Sequence, residues 1–232
     1  MVGAMNLDAS DRPDAGGTLF GRVFAAVLFD MDGTLTDSAP SVERCWTLWG
    51  ARRGLPREDV LLAHGIPARQ ILAMMVKDHE IDEQLAVIER MEIEDCAGVV
   101  PLPGAIAALS GVGPRAAIVT SCTRDLFLVR SLVAGLPVPK TVVTASDVEL
   151  GKPDPAPYLL AARRLGVDPR SCLVVEDAPA GLAAGRAAGC STLAVTTTHR
   201  RSELHADLTV GDLSELRFEV DGGDVVVRRA GV

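Results

Sequence analysis

Phe29-Asp30-Met31-Asp32-Gly33-Thr34-Leu35-Thr36-Asp37-Ser38 follows directly on the apolar run Val23 to Leu28. That run is short and continuous, and it ends in a glycine turn. This is the pattern of a strand buried on both faces, so Val23 to Phe29 is expected as the first strand. Ala25 and Ala26 weaken its strand propensity but not its burial pattern. Chemistry begins where the strand ends. Asp30 and Asp32 stand two residues apart, and in an extended or turning chain such a pair can serve one centre through different atoms.

Downstream, Pro40 suits the first turn of a helix that runs to Gly50 or Arg53. Gly54 and Pro56 interrupt it, and a second helical segment is expected to end before His64-Gly65. Pro67 to Lys77 sets Ile71, Leu72, Met75 and Val76 on one helical face, and Ile81 to Glu94 repeats the pattern with Leu85, Ile88 and Met91. Pro40 to Ala97 is thus helical, with little strand signal. Beyond Gly98 the pattern changes. Strands are expected at Arg115–Thr120, Thr141–Val143, Cys172–Glu176 and Thr192–Thr196. Helices are expected near Pro103–Ser110, Asp125–Ala134, Ala156–Leu165 and Pro179–Ala188. Phe218–Val220 and Val225–Val227 flank Asp221-Gly222-Gly223-Asp224 as a small hairpin. Strands alternating with helices argue for an α/β fold: a Rossmann-like, mostly parallel sheet core with an inserted all-helical cap domain. The expected division is a flexible leader over residues 1–20, the first part of the core over 21–37, the cap over 38–98, and the second part of the core with its hairpin over 99–232.

The chain is 48% hydrophobic and 23% charged, enough for a sizeable core. A net charge of -8 and only 3% aromatic residues argue against nucleic acid as a partner. They leave room for a phosphorylated small molecule, because one lysine or a metal reverses the field inside a cleft. The five cysteines form no close pair, which favours reduced thiols and a cytoplasmic location. The first stretch carries Asp8, Asp11 and Asp14 and lacks a long apolar run, so no signal peptide is expected. No membrane span is expected either, since no segment reaches about 18 uninterrupted apolar residues. The expected state is a monomer, with a homodimer as the alternative.

In a parallel α/β sheet, ligands gather beyond the C-terminal ends of the strands. The first strand ends in Asp30 and Asp32, the second in Thr120-Ser121, and the fourth in Glu176-Asp177, while Lys152 lies in the loop after the third. Distant in sequence, these groups are expected at one edge. A hard divalent cation such as Mg²⁺ takes oxygen ligands. Asp30 and Asp177 offer carboxylates, Asp32 a peptide oxygen, and Glu176 a carboxylate acting directly or through water. Thr120, Ser121 and nearby peptide N–H groups are candidates to hold phosphate oxygens. Lys152 offsets charge on both phosphate and Asp30. Without a cation, so many carboxylates around a phosphate would repel it.

This ordered set resembles the haloacid dehalogenase-like phosphohydrolase superfamily. Asp30-Met31-Asp32-Gly33-Thr34 matches its first motif, Thr120-Ser121 its second, Lys152 within Gly151-Lys152-Pro153-Asp154-Pro155 its third, and Glu176-Asp177 its fourth. The resemblance covers Val23 to Val227. His64-Gly65, Leu102-Pro103-Gly104-Ala105 and Val175-Glu176-Asp177-Ala178-Pro179-Ala180-Gly181 are similar to the bacterial sugar and sugar-alcohol phosphatase branch, and beta-phosphoglucomutases are close relatives. Cys122 departs from the pattern, where relatives commonly carry glycine. The resemblance implies Mg²⁺-dependent hydrolysis of a small sugar or sugar-alcohol phosphate. Asp30 is then the nucleophile, Asp32 the proton donor and acceptor, and Lys152 a charge clamp. It also implies that the helical insertion is a mobile cap, in which His64 and Arg69 are candidates for substrate contact.

Each signal has a plainer structural reading. Asp-x-Asp-Gly is a common turn, Thr120-Ser121 can cap a helix, and Glu176-Asp177 favours a helix N-terminus. Lys152 and Arg69 can be solvated surface residues, and His64-Gly65 a turn. Trp46, Trp49, Met74 and Met75 read as packing residues. Four signals at successive strand ends favour the shared site. The alternatives are a sugar phosphomutase and a nonenzymatic phosphate-binding protein.

Overall fold

The computed structural model describes residues 19–61 and 68–231. Leu19 is fully buried and Phe20 packs against the same cluster. The run Val23 to Phe29 divides at Ala25. β1 (Val23–Phe24) pairs antiparallel with β11 (Asp224–Arg229). β2 (Ala26–Phe29) enters a different sheet, and between them the Ala25 N–H donates to the Ser171 carbonyl at 2.8 Å. Exposure marks the change: Val23 is 58% exposed, whereas every residue of β2 is buried. Apolar side chains suit both settings, so the composition of the run hides the switch of partner.

The main sheet adds β5 (Ala116–Val119), β6 (Thr141–Val143), β7 (Cys172–Glu176), β8 (Ser191–Val195) and β9 (Leu208–Val210) to β2. Its order is β6-β5-β2-β7-β8-β9, and every pairing is parallel. This is the expected parallel α/β core. Only β9 has no counterpart in the sequence reading; it is a three-residue edge strand. Side chains alternate across the sheet. Val27 and Phe29 face one layer with α5 (Ala105–Val112), α6 (Arg124–Val133) and the hairpin, while Ala26 and Leu28 face the other with α7 (Ala156–Leu165) and α8 (Pro179–Ala187). The hairpin of β10 (Leu216–Asp221) and β11 turns on Gly222-Gly223 alone, because Asp221 and Asp224 are themselves paired. Its Phe218 meets Phe29 edge-on at 5.7 Å.

Two short strands, β3 (Thr36–Asp37) and β4 (Val100–Pro101), pair where the chain leaves the core and returns to it. Between them lie α1 (Ala39–Arg52), α2 (Arg57–Leu61), α3 (Ala68–Met75) and α4 (Ile81–Glu94). These helices bury a cluster of their own around Trp46, Trp49, Ile71, Leu72 and Ile88. Trp46 and Trp49 meet edge-on, and the Trp49 Nε1–H donates to Gln84 Oε1 at 2.9 Å, which ties α1 to α4. Met75 packs against the same cluster, but Met74 is 67% exposed, contrary to its expected packing role. Met74 takes the outer side of α3, and the adjacent Met75 the inner one.

Candidate active site

The ends of β2, β5 and β7 meet at one edge of the sheet. Asp30 follows β2 directly and donates its N–H to the Val175 carbonyl on β7 at 2.9 Å. Lys152 arrives from the β6–α7 loop, whose Lys152–Pro153 peptide is cis. Its Nζ donates to Asp30 Oδ1 at 2.5 Å, to Glu176 Oε1 at 2.6 Å and to the Val119 carbonyl at 2.9 Å. All three ammonium protons are therefore engaged. Glu176 is held in turn by the Tyr158 hydroxyl at 2.7 Å and by the N–H groups of Asp177 and Ala178 at 3.3 and 3.4 Å. Carboxylate oxygens of Asp30, Glu176 and Asp177 lie within 4.8 Å of one another.

Three buried carboxylates face one lysine. Burial pushes the Asp30 carboxyl well above its usual range, repulsion from Glu176 adds to this, and Lys152 opposes it. Burial, followed by Glu176, pushes Asp177 up to about 7, although the hydroxyls of Thr198 and Thr34 hold its charge. Burial would depress Lys152, but Asp30 and Glu176 outweigh it and hold the ammonium charged. An all-oxygen cluster with uncompensated negative charge suits a hard cation.

Thr34 Oγ1 donates to Asp177 Oδ1 at 3.1 Å, and Thr198 Oγ1 donates to Asp177 Oδ2. Gly33 runs close alongside. A Cβ there would lie 2.3 Å from Asp177 Oδ2, and its φ of +85° is the left-handed region that glycine tolerates. Gly181 serves differently. It lies inside α8 without a left-handed φ, and a Cβ there would lie 1.7 Å from Glu176 Oε1, so the site needs its emptiness rather than a turn.

Thr120 is 4% exposed at the end of β5, where its Oγ1 accepts from the Cys122 N–H at 3.0 Å. Ser121 is exposed beside it. Asp147 lies in the loop after β6. It accepts from the N–H of Thr144 at 2.8 Å and pairs with Arg124 and Arg164, each at 2.7 Å, which braces the loop. Asp32 stands outside the three-carboxylate cluster. Its Oδ1 lies 3.0 Å from Arg130 Nη1, and its Oδ2 accepts from the Cys122 thiol at 2.9 Å. Burial alone would raise Asp32, but Arg130 and hydrogen bonds from Cys122 and Ser38 hold it below its usual range. Arg69 is on α3 and pairs with Asp82 within the helical insertion, apart from these groups. His64 lies outside the described residues.

Sequence reasoning missed Arg130, Thr198 and His199. Arg130 follows the buried Leu126 and Phe127 by four and three residues, so it shares their inward face, and that spacing was the available signal. Thr198 and His199 lie in the loop after β8. His199 Nδ1 sits 3.0 Å from the Asp177 peptide oxygen, a contact that no spacing announces.

The model for haloacid dehalogenase-like hydrolases matches residues 24–189. The chain is 42% identical over 212 residues to hexitol phosphatase A of Escherichia coli (strain K12), covering 87% of this chain and 97% of that protein. It is 34% identical over 207 residues to validoxylamine A 7'-phosphate phosphatase of Streptomyces hygroscopicus subsp. limoneus, covering 84% and 97%. Among solved structures, a protein of Bacteroides vulgatus provisionally named beta-phosphoglucomutase superposes with a TM-score of 0.66 at 30% identity, covering 82% and 84%. The matched motifs, the parallel core and relatives covered nearly end to end agree: the chain belongs to the haloacid dehalogenase-like hydrolases.

Proposed function

We propose that this protein is a Mg²⁺-dependent phosphomonoester hydrolase that acts on a small sugar phosphate or sugar-alcohol phosphate through an aspartyl-phosphate on Asp30. One observation carries the reading: Lys152 joins Asp30 to Glu176 beside Asp177, in a buried cluster that holds more negative charge than the lysine offsets. The names of the relatives, a hexitol phosphatase and a validoxylamine phosphate phosphatase, support the substrate class. Asp30, Asp177 and the Asp32 peptide oxygen would hold the cation, with Glu176 acting through water because its oxygens already accept four hydrogen bonds. A cation bound there supplies charge stabilisation for the phosphoryl group.

An Asp30 oxygen attacks phosphorus, and the bond from phosphorus to the alcohol oxygen breaks. Asp32, an anion beside Arg130 until the negative charge of the bound phosphate favours its protonated form, takes up a proton and gives it to that oxygen. Water then attacks the phosphorus of the aspartyl-phosphate and gives a proton to Asp32, releasing inorganic phosphate and restoring the Asp30 carboxylate. One group serves both steps because the first leaves it as the base needed by the second. Thr120 offers its hydroxyl proton to a phosphate oxygen, its oxygen already being fixed by Cys122, and Ser121 shapes the loop. Helices α1 to α4 form the cap. Within it, His64 and Arg69 contact the substrate on closure. The Arg69–Asp82 pair is 62% and 83% exposed, and such a pair is worth about 0–1 kcal/mol, so it exchanges readily for a phosphate. The protein works as a cytoplasmic monomer.

The test is a Mg²⁺-dependent screen of sugar, polyol, glycerol and nucleotide phosphates, read as both phosphate release and isomer formation. Phosphate release from a polyol phosphate is expected, and Asp30→Asn is expected to lose at least about a thousandfold in kcat while remaining folded. Normal turnover in purified Asp30→Asn would remove Asp30 as nucleophile. Isomer formation without phosphate release would make the protein a mutase.

A further inference from the structure

Arg130 is the one buried arginine among the described residues, at 3% exposure. Its guanidinium is divided between two carboxylates, one from the core and one from the helical insertion. Nη1 meets Asp32 Oδ1 at 3.0 Å and the Cys122 sulfur at 3.2 Å, while Nη2 meets Glu92 Oε2 on α4 at 3.0 Å. Nε has no partner. Stability alone does not explain this placement. Burying a guanidinium is costly, an unpartnered buried N–H adds to that cost, and apolar replacements of buried ion pairs are often neutral or stabilising.

The geometry favours positioning. A guanidinium is planar and forked, so it cannot turn to follow one carboxylate without leaving the other. Glu92 is itself buried, at 8% exposure, and anchors the fork from the helical insertion. Cys122 completes the clamp, its thiol proton on Asp32 Oδ2 and its sulfur against Nη1. Asp32 is thereby held through both carboxylate oxygens.

We propose that Arg130, braced by Glu92 and Cys122, is a positioning residue that holds the Asp32 carboxyl in line for proton transfer to the departing alcohol. Glu92 extends that control to α4, so the seating of the helical insertion on the core sets the aim of the acid. This rests on the role given to Asp32 above.

The test is the dependence on leaving group. The alcohol of sorbitol 6-phosphate needs a proton to depart, whereas the p-nitrophenolate of p-nitrophenyl phosphate does not. kcat/KM is measured on both substrates for wild type, Asp32→Asn, Arg130→Met, Arg130→Lys and Glu92→Gln, with circular dichroism and Tm as checks on folding. General acid catalysis contributes about 10²–10⁴-fold. Arg130→Met is expected to lose about 10–100-fold on sorbitol 6-phosphate and less than about threefold on p-nitrophenyl phosphate. Arg130→Lys should recover part of the loss, because it restores charge without the fork. Glu92→Gln should show the same asymmetry more weakly, and with Arg130→Lys it decides the question if Arg130→Met does not fold. Equal losses on both substrates, or no loss, would overturn the proposal. If Asp32→Asn itself shows no asymmetry, the acid role of Asp32 fails; if it does and the Arg130 and Glu92 variants do not, only the positioning role fails.

Discussion

Gly33 occupies the space that the Asp177 carboxylate needs. A methyl group there would lie 2.3 Å from Asp177 Oδ2 and 2.8 Å from Thr198 Cγ2, on a backbone with φ of +85°. The left-handed conformation alone costs an alanine about 1–2 kcal/mol. The clash is worse placed still, because Asp177 is pinned by Thr34 and Thr198 and cannot move without breaking those bonds. Gly33→Ala should therefore lower Tm by roughly 3–8 °C, at about 2–4 °C per kcal/mol for a chain of this size. It should also weaken Mg²⁺ binding at least tenfold by isothermal titration. Wild-type metal affinity in a folded Gly33→Ala protein would mean that Asp177 does not hold the cation.

At the scale of elements, α8 poses a conflict between local propensity and the site. Gly181 lies in a helix rich in alanine, where glycine to alanine normally stabilises by about 1 kcal/mol. Here the added Cβ would lie 1.7 Å from Glu176 Oε1, the atom that holds Lys152 and Tyr158. Gly181→Ala should keep or raise helix content yet lose at least about tenfold in kcat/KM as Glu176 and Lys152 shift; a higher Tm with full activity would refute this link. The same contrast explains what could be read from the sequence. The strands Thr141–Val143 and Cys172–Glu176 and the helix Ala156–Leu165 have the expected bounds, because local patterning and turn residues set them. The division at Ala25, the edge strand Leu208–Val210 and the pairing of β3 with β4 depend on partners far along the chain. At the candidate site, Asp30, Thr120, Glu176 and Asp177 were legible because each stands at or just past a strand end, and Lys152 because its loop follows the third strand. Arg130 was not, because it looks like an ordinary helical arginine until Asp32 and Glu92 close on it.

For the whole molecule, the site is a destabilising feature that its ligand should relieve. The fold carries Asp30 and Asp177 into burial beside Glu176, and both are raised above their usual range by burial first and by Glu176 next. Asp177 moves from 3.8 to about 7. An unfolded chain has lost this proton by pH 5, whereas the folded one still holds it. Folding then binds a proton, and the contribution to stability falls by about 1.4 kcal/mol per pH unit as pH rises through that window. Asp32 has the opposite sign, being lowered chiefly by Arg130 against its burial, so its contribution is lost only as pH falls below the ordinary carboxylate range. The two effects occupy different windows, which leaves the range from pH 5 to 7 to the cluster of Asp30, Glu176 and Asp177. A divalent cation competes with the protons there, so the rise in Tm caused by Mg²⁺ should be small at pH 5 and grow towards pH 8. At about a hundredfold excess over its Kd, the cation should stabilise by about 2.7 kcal/mol, or roughly 5–10 °C. Asp177→Asn should remove the part of that pH dependence that Asp177 carries and leave the part due to Asp30, because an amide neither titrates nor carries the charge that the cation answers. Differential scanning calorimetry at pH 5, 6, 7 and 8, with and without Mg²⁺ in phosphate-free buffer, measures both effects. A Mg²⁺ increment of equal size at every pH would show that the cation binds away from the buried carboxylates at the ends of β2 and β7.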